Sequence, residues 1–381
     1  MRRKLIEQIQ ENRKSKLISY ITGDRQLVSA MIAEDAVRPL YDQLLTVGKS
    51  ERIDLFLYSR GGDVSVPWRI VSMFREFCRE FSVIAPYKAH SAATLISLGA
   101  DEIVMGKKSE LSPIDPTLTK GVMGETSGPP QQISVEDVNS YLSFMKDRAN
   151  INDQAALTQM VSILANNIGP LTLGNVNRQN SHIRLVARKL LTSRKQKLDE
   201  AKINSIIETL TEKIYSHGHA IGRKEAKEIG LPIHRPKDEL EETIWRLYLE
   251  YEKLLQLGDP MDPQIILGAK EEVQLGNIPI AIIESEKKGH IFSPKVDYKR
   301  KRQVPPNLQI NLNLGLNMPP HIKPEEIPPQ AQQICQEMLS QVGPTIQRLV
   351  QEEIKRQSPE IGFDIRVYGG KWEEHTEEVK S

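Results

Sequence analysis

Between Ile53 and Met105 the chain passes twice from a strand pattern into a helix pattern, and this repetition restricts the fold more than any other feature. Ile53, Leu55 and Leu57 alternate with other residues as in a strand, and Val66, Ile70, Phe74 and Phe77 then recur at helical spacing. An apolar run from Ser82 to Ala85, a loop through Pro86, a small-residue helix from Ala92 to Ala100 and a strand from Glu102 to Met105 follow. Strands and helices alternating at this length predict an α/β fold with a parallel sheet and crossover helices. Such folds gather binding groups on loops at the carboxyl ends of the strands. Leu17 to Ile21 is expected to be the first strand, and Val37, Leu40, Leu44 and Leu45 mark an amphipathic helix leading into the Ile53 strand.

Two of the strand-to-helix turns carry residue types suited to chemistry. They are Tyr58-Ser59-Arg60-Gly61-Gly62-Asp63 and, about thirty residues later, Ala89-His90-Ser91-Ala92-Ala93-Thr94. Glycine lacks a side chain, so backbone N–H groups can turn toward a ligand that approaches closely. A serine at a helix start has free N–H groups beside it, which favour a developing oxyanion. Together the two turns read as an oxyanion hole facing a nucleophilic serine, an arrangement suited to acyl transfer. Each alone is weak, because Gly-Gly is a common turn and serine an ordinary helix cap.

The chain of 381 residues is long enough for two or three domains. Its formal net charge of +1 gives no global field to recruit nucleic acid or a membrane. Cys78, read as lying among the apolar residues of a helix, and Cys335 are far apart, which argues against a disulfide framework or a cysteine metal site. The segment Met1 to Lys16 is polar and charged, and no run approaches the ~20 apolar residues of a membrane span. A soluble, cytoplasmic protein is therefore expected.

Gly121 to Pro130 reads as an exposed, mobile loop. A helical section, about residues 133–216, follows, with a basic middle from Arg184 to Lys197 whose ordinary role is a solvated helix face. The stretch Glu225 to Leu231 reads as a short helix closed by Gly230, and Leu240, Ile244, Leu247, Tyr251 and Leu254 mark a longer one. After Gly258 the composition turns proline-containing, so the expected division is 1–257 and a separate C-terminal extension, 258–381. That extension holds a strand candidate, Ile278 to Ile283, and a basic run, Lys299 to Arg302, read as a solvated linker. It also holds the alternating Leu308, Ile310, Leu312 and Leu314, and a helix from Ala331 to about Arg356. Its expected task is to bind another protein chain.

The order Ser-Arg-Gly-Gly-Asp, His-Ser-Ala-Ala-Thr and Leu-Gly-Ala-Asp-Glu-Ile-Val-Met-Gly resembles the ClpP/crotonase superfamily of serine peptidases. Within it the chain is most similar to the serine dehydrogenase proteinase family, related to signal peptide peptidase A and ClpP. Ser112-Pro113-Ile114-Asp115-Pro116, and Ser216-His217-Gly218-His219 before the Glu225 helix, extend the resemblance over roughly Met1 to Leu255.

The resemblance implies a ClpP/crotonase-like fold and a ClpP-like endopeptidase acting on peptides. It implies Ser91 as nucleophile and the N–H groups of Gly62 and Ala92, with Gly61 alongside, as the oxyanion hole. Asp115 stands where ClpP has its histidine and His217 where ClpP has its aspartate, so the two partners are exchanged. A triad is defined by roles and geometry, which permits such an exchange. His217 is then the base and Asp115 the group that orients it, with His219 and His90 as alternative bases. A serine-lysine dyad, as in the signal peptide peptidase relatives, would draw on Lys88, Lys107, Lys108 or Lys120.

No cofactor or metal is implied, and a homo-oligomer is, because the superfamily encloses its sites in rings or stacks. About a hundred residues separate Asp115 from His217, roughly twice the ClpP spacing. Two other classes stay open: a non-catalytic scaffold of the same fold, and an acyl-CoA enzyme that shares the oxyanion hole without needing Ser91. No Gly-x-Gly-x-x-Gly fingerprint supports dehydrogenase chemistry.

Overall fold

The strand-helix alternation forms the centre of the structure, a computed structural model that describes residues 1–114, 117–119, 132–214, 216, 218–303 and 328–375. Strands β1 (Lys16–Thr22), β2 (Ser50–Tyr58), β3 (Cys78–Ala85) and β4 (Glu102–Met105) run parallel in the order β4-β3-β2-β1. Strand β5 (Ile233–His234) continues the parallel set beside β4. On the other side β6 (Ala281–Glu284) adds antiparallel to β1 and pairs in turn with the first residues of β7 (Gly289–Arg302).

Both faces of this sheet are covered, so its central strands are buried almost throughout. Ile53, Leu55 and Leu57 of β2 pack into one core with residues of α2 (Val37–Val47), α3 (Val66–Arg75), α4 (Ala92–Leu98) and α7 (Pro170–Thr192). Phe56 and Tyr58, pointing the opposite way, join a second core with α1 (Arg2–Arg13) and α10 (Asp238–Leu255).

The charged N-terminal segment forms α1, because Leu5, Ile6 and Ile9 among its charges are enough to dock it, all buried. Cys78 opens β3 instead of continuing a helix: α3 ends at Arg75, and Cys78 pairs with Ser50 across the sheet. Its thiol is pushed up to about 12, mainly by burial.

The helical section contains α5 (Val135–Ser143), α6 (Gln154–Ile168), α7 and α8 (Glu200–Glu208). Its basic side chains are largely committed, Arg184 to Glu212 and Arg188 to Glu200 in ion pairs, while the buried Arg194 donates to Leu98 O at 2.7 Å. Helix α9 (Arg223–Ile229) ends, as expected, at Gly230 with φ 103°.

The chain divides into two compact units, and the second does not simply follow the first. The first comprises Met1–Pro260, Pro279–Pro294 and the chain from Gly370 on; the second comprises Met261–Ile278 and Lys295–Gly369. The expected boundary near Gly258 therefore marks where the chain leaves the first unit, but β6 returns to complete that unit's sheet.

In the second unit, Glu272–Leu275 pairs antiparallel with Val296–Lys299, and a helix spans Pro329–Gln357. The basic run is a strand, not a linker, with Lys299, Arg300 and Arg302 paired to Glu272, Glu360 and Glu271. The Gly121–Pro130 loop and the Leu308–Leu314 alternation lie outside the described residues. No helix among the described residues is long and apolar enough to cross a membrane.

Candidate active site

Strand β2 ends at Tyr58 and runs through Ser59–Gly62 toward α3, while the short strand Lys88–Ala89 runs through His90 and Ser91 into α4. A single bridge joins the two exits: Ser59 N donates to Lys88 O at 3.0 Å, and His90 N donates to Ser59 O at 2.9 Å. The two turns picked out in the sequence therefore sit side by side at the carboxyl ends of adjacent strands.

Ser91 caps α4 with φ 50° and ψ −111°, a strained backbone for a residue with a side chain. The surroundings hold the strain in place. Ser91 N donates to Ser112 Oγ at 2.8 Å, Ser112 N donates to Thr94 Oγ1 at 3.1 Å, and Thr94 Oγ1 donates to Ala89 O at 2.7 Å. Among the described residues the Ser91 hydroxyl is not hydrogen-bonded to any side chain and remains partly exposed.

Gly61 has φ 118°, and a Cβ there would stand 2.7 Å from Ser91 Cβ, so only glycine lets this segment lie against the serine. Gly62, with φ 153°, leaves even less room: a Cβ would stand 2.1 Å from Ile32 O. Ile32 N donates to Gly61 O, and Asp63 N to Ile32 O, each at 2.8 Å, which pins the loop on both sides of Gly62. Among the described residues the N–H groups of Gly62 and of Ala92, the first helical residue, have no protein acceptor. Two backbone donors thus flank Ser91 and can receive charge on a substrate oxygen.

His90 Nε2 lies 3.2 Å from Glu110 Oε1, each side chain about 20% exposed. Burial holds the imidazole below its ordinary value, Lys88 and Arg60 push it the same way, and Glu110 opposes them, so the ring is neutral at pH 7. Glu110 and Leu111 form a short strand that pairs parallel with Lys88–Ala89 and antiparallel with Ile221–Gly222. Two residues before Ile221, His219 is exposed, its Nε2 at 3.0 and 3.1 Å from the Glu225 carboxylate oxygens.

The structure thus brings together Ser91, Gly61, Gly62, Ala92 and His90. Asp115 and His217 lie outside the described residues, as does Lys120. Of the other candidate lysines, Lys88 Nζ lies 2.8 Å from Asp24, the exposed Lys107 Nζ lies 3.5 Å from Asp238, and Lys108 sits over the Tyr87 ring. Lys88 is thus already engaged by the Asp24 carboxylate. Among the described residues no group of three or more His, Cys, Asp or Glu side chains could hold a metal ion.

Ser112, Thr94, Ile32, Glu110 and Asp24 were not singled out as site residues from sequence. Of these, Ser112 and Thr94 carry a sequence signal, Ser112 in the Ser112–Pro116 motif and Thr94 in the Ala89–Thr94 turn.

Over residues 1–262 the sequence matches the family of ClpP-like SDH-type serine proteinases, and the chain belongs to that family. It is similar to an uncharacterized protein of Methanocaldococcus jannaschii, 26% identical over 253 residues, 65% of this chain and 78% of the relative. A second uncharacterized protein of that organism is 24% identical over 300 residues, 75% of this chain and 84% of the relative. Among solved structures it is similar to a membrane-bound stomatin-specific protease, with 16% identity and TM-score 0.33 over 60% of this chain and 84% of that one. ClpP1 from Listeria monocytogenes matches with 14% identity and TM-score 0.33 over 61% and 97%.

Proposed function

We propose that this protein is a serine endopeptidase that cleaves peptide bonds through an acyl-enzyme on Ser91. The observation that carries the proposal is the strained Ser91 turn, flanked by the N–H groups of Gly62 and Ala92 that have no acceptor among the described residues, in a chain of a serine proteinase family. Ser91 Oγ attacks the carbonyl carbon, and the carbonyl oxygen takes the negative charge toward those two N–H groups. His217 accepts the hydroxyl proton and passes it to the leaving amine. Water then hydrolyses the ester, with His217 again moving the proton.

Asp115 orients His217 and stabilises its charged form. The described pairing of Leu111 with Ile221 is antiparallel, and it supports this assignment. Asp115 lies four residues after Leu111 and His217 four residues before Ile221. His219 is engaged by Glu225, which favours His217 over it. Assembly into a homo-oligomer, and protein binding through the C-terminal extension, 258–381, belong to the same reading.

Digestion of casein, followed by peptide mass spectrometry, tests it. We expect cleavage by the parent protein and a loss of at least about a thousandfold in Ser91→Ala and in His217→Ala, with His219→Ala retaining most activity. Undiminished cleavage by Ser91→Ala would exclude the acyl-enzyme on that residue.

A further inference from the structure

We propose that Asp24 is a positioning residue that sets the spacing between the two halves of the oxyanion site, an inference that rests on the peptidase reading of Ser91. Asp24 follows β1 in a small hairpin with Val28–Ser29 and is far in sequence from both turns. Its carboxylate nevertheless gathers side chains from each. Oδ1 accepts from Tyr58 OH at 2.8 Å, Oδ2 accepts from Lys88 Nζ at 2.8 Å, and Arg60 Nε lies 3.3 Å from Oδ2. Tyr58 and Arg60 flank Ser59 on the segment that delivers Gly61 and Gly62, whereas Lys88 stands three residues before Ser91 on the other segment.

Ser59 directs its side chain elsewhere, as extended backbone requires of alternate residues. Its Oγ accepts from Thr22 Oγ1 at 2.7 Å and from Gly61 N at 3.0 Å. Hydroxyl bonds from Thr22 thus hold the junction at Ser59, while the Asp24 carboxylate ties the neighbouring side chains across the two segments. The Asp24 side chain is only 10% exposed and that of Lys88 18%, so this ion pair is little screened by solvent, whereas the largely exposed Arg60 adds a weaker, screened one. Burial alone would push its carboxyl up, but bonds from Lys88 and Tyr58 and the charges of Lys88 and Arg60 outweigh it and hold the group below the ordinary carboxylate range. The tie is therefore charged at neutral pH.

Charge and position make opposite predictions here. Neutralising Asp24 leaves Lys88 and Arg60 as two uncompensated cations near the site, and charge alone would then favour an oxyanion and speed acylation. If Asp24 acts by holding the two segments in register, the same change slows it, since small displacements of reacting groups are costly.

Labelling by a fluorophosphonate probe separates the two. Ser91 Oγ gives up its proton to the base and bonds to phosphorus, fluoride leaves, and the phosphoryl oxygen occupies the place of the oxyanion. Saturation kinetics with intact-mass detection give kinact and KI for the full chain. We expect Asp24→Asn to lower kinact on the order of 10- to 100-fold with KI little changed. Lys88→Met should act alike, and the double variant should be no slower than the slower single one, as for two residues in one interaction.

Lys88→Arg keeps the ion pair and should stay close to the parent rate. Arginine does not give up its proton, so loss of labelling in Lys88→Arg would make Lys88 the base and overturn the positioning role. Should Asp24→Asn not fold, the contrast between Lys88→Met and Lys88→Arg carries the test. A lower melting temperature with kinact unchanged, or a faster kinact, overturns the proposal. A parent protein that labels normally beside an Asp24→Asn variant of equal kinact removes the positioning role alone. A folded parent that does not label at Ser91 removes the peptidase reading and this role together.

Discussion

At Gly61 a single methyl group decides whether the two turns can lie together. Gly61→Ala places a Cβ 2.7 Å from Ser91 Cβ at φ 118°. We expect a destabilisation of about 1–3 kcal/mol, read as a lower urea midpoint, and loss of serine labelling even where the protein stays folded. Normal labelling would show that Gly61 is only a turn residue. The glycine pair and the helix-opening serine were legible in the sequence because each sits where a strand pattern hands over to a helix pattern, about thirty residues apart. Ser112 and Asp24 were not legible as partners, because their bonds to Ser91 N and Lys88 Nζ join separated segments and leave no periodicity. The same holds for Ile32, whose backbone, not its side-chain type, pins Gly62.

Among the secondary-structure elements, β6 separates the expected division of the chain from the observed one. Ile282 and Ile283 are fully buried, and Glu284 accepts from Arg2 Nε at 2.9 Å and Tyr251 OH at 3.0 Å. A chain cut after Leu257 loses all three. Each buried isoleucine contributes roughly 1.5–3 kcal/mol, so the loss takes a large part of the ~5–15 kcal/mol that stabilises an ordinary domain. We expect this truncation to lack a cooperative melting transition, and a melting temperature equal to that of the full chain would contradict the assignment of β6 to the first unit.

The apolar run at Ile278–Ile283 was legible as a strand, which the structure places at Ala281–Glu284. Which sheet the strand would join was not legible, because its partner, β1, lies more than two hundred residues earlier. The N-terminal helix went unread for a related reason. Three apolar residues among many charges give a weak periodic signal, and only docking against the sheet shows that Leu5, Ile6 and Ile9 form a face.

For the whole molecule, the family match covers residues 1–262, while the first compact unit also draws on Pro279–Pro294 and the chain from Gly370 on. The Ser91 turn therefore belongs to a unit that needs later sequence to complete its sheet. The central claim is that this unit activates one serine. The most direct measurement is fluorophosphonate labelling of the full-length protein and its Ser91→Ala and His217→Ala variants, with intact-mass and circular-dichroism readout. We expect one probe adduct per chain in the parent and none in either variant, all three retaining the same fold. A folded parent that takes up no probe, or a Ser91→Ala variant that labels as the parent does, would contradict it.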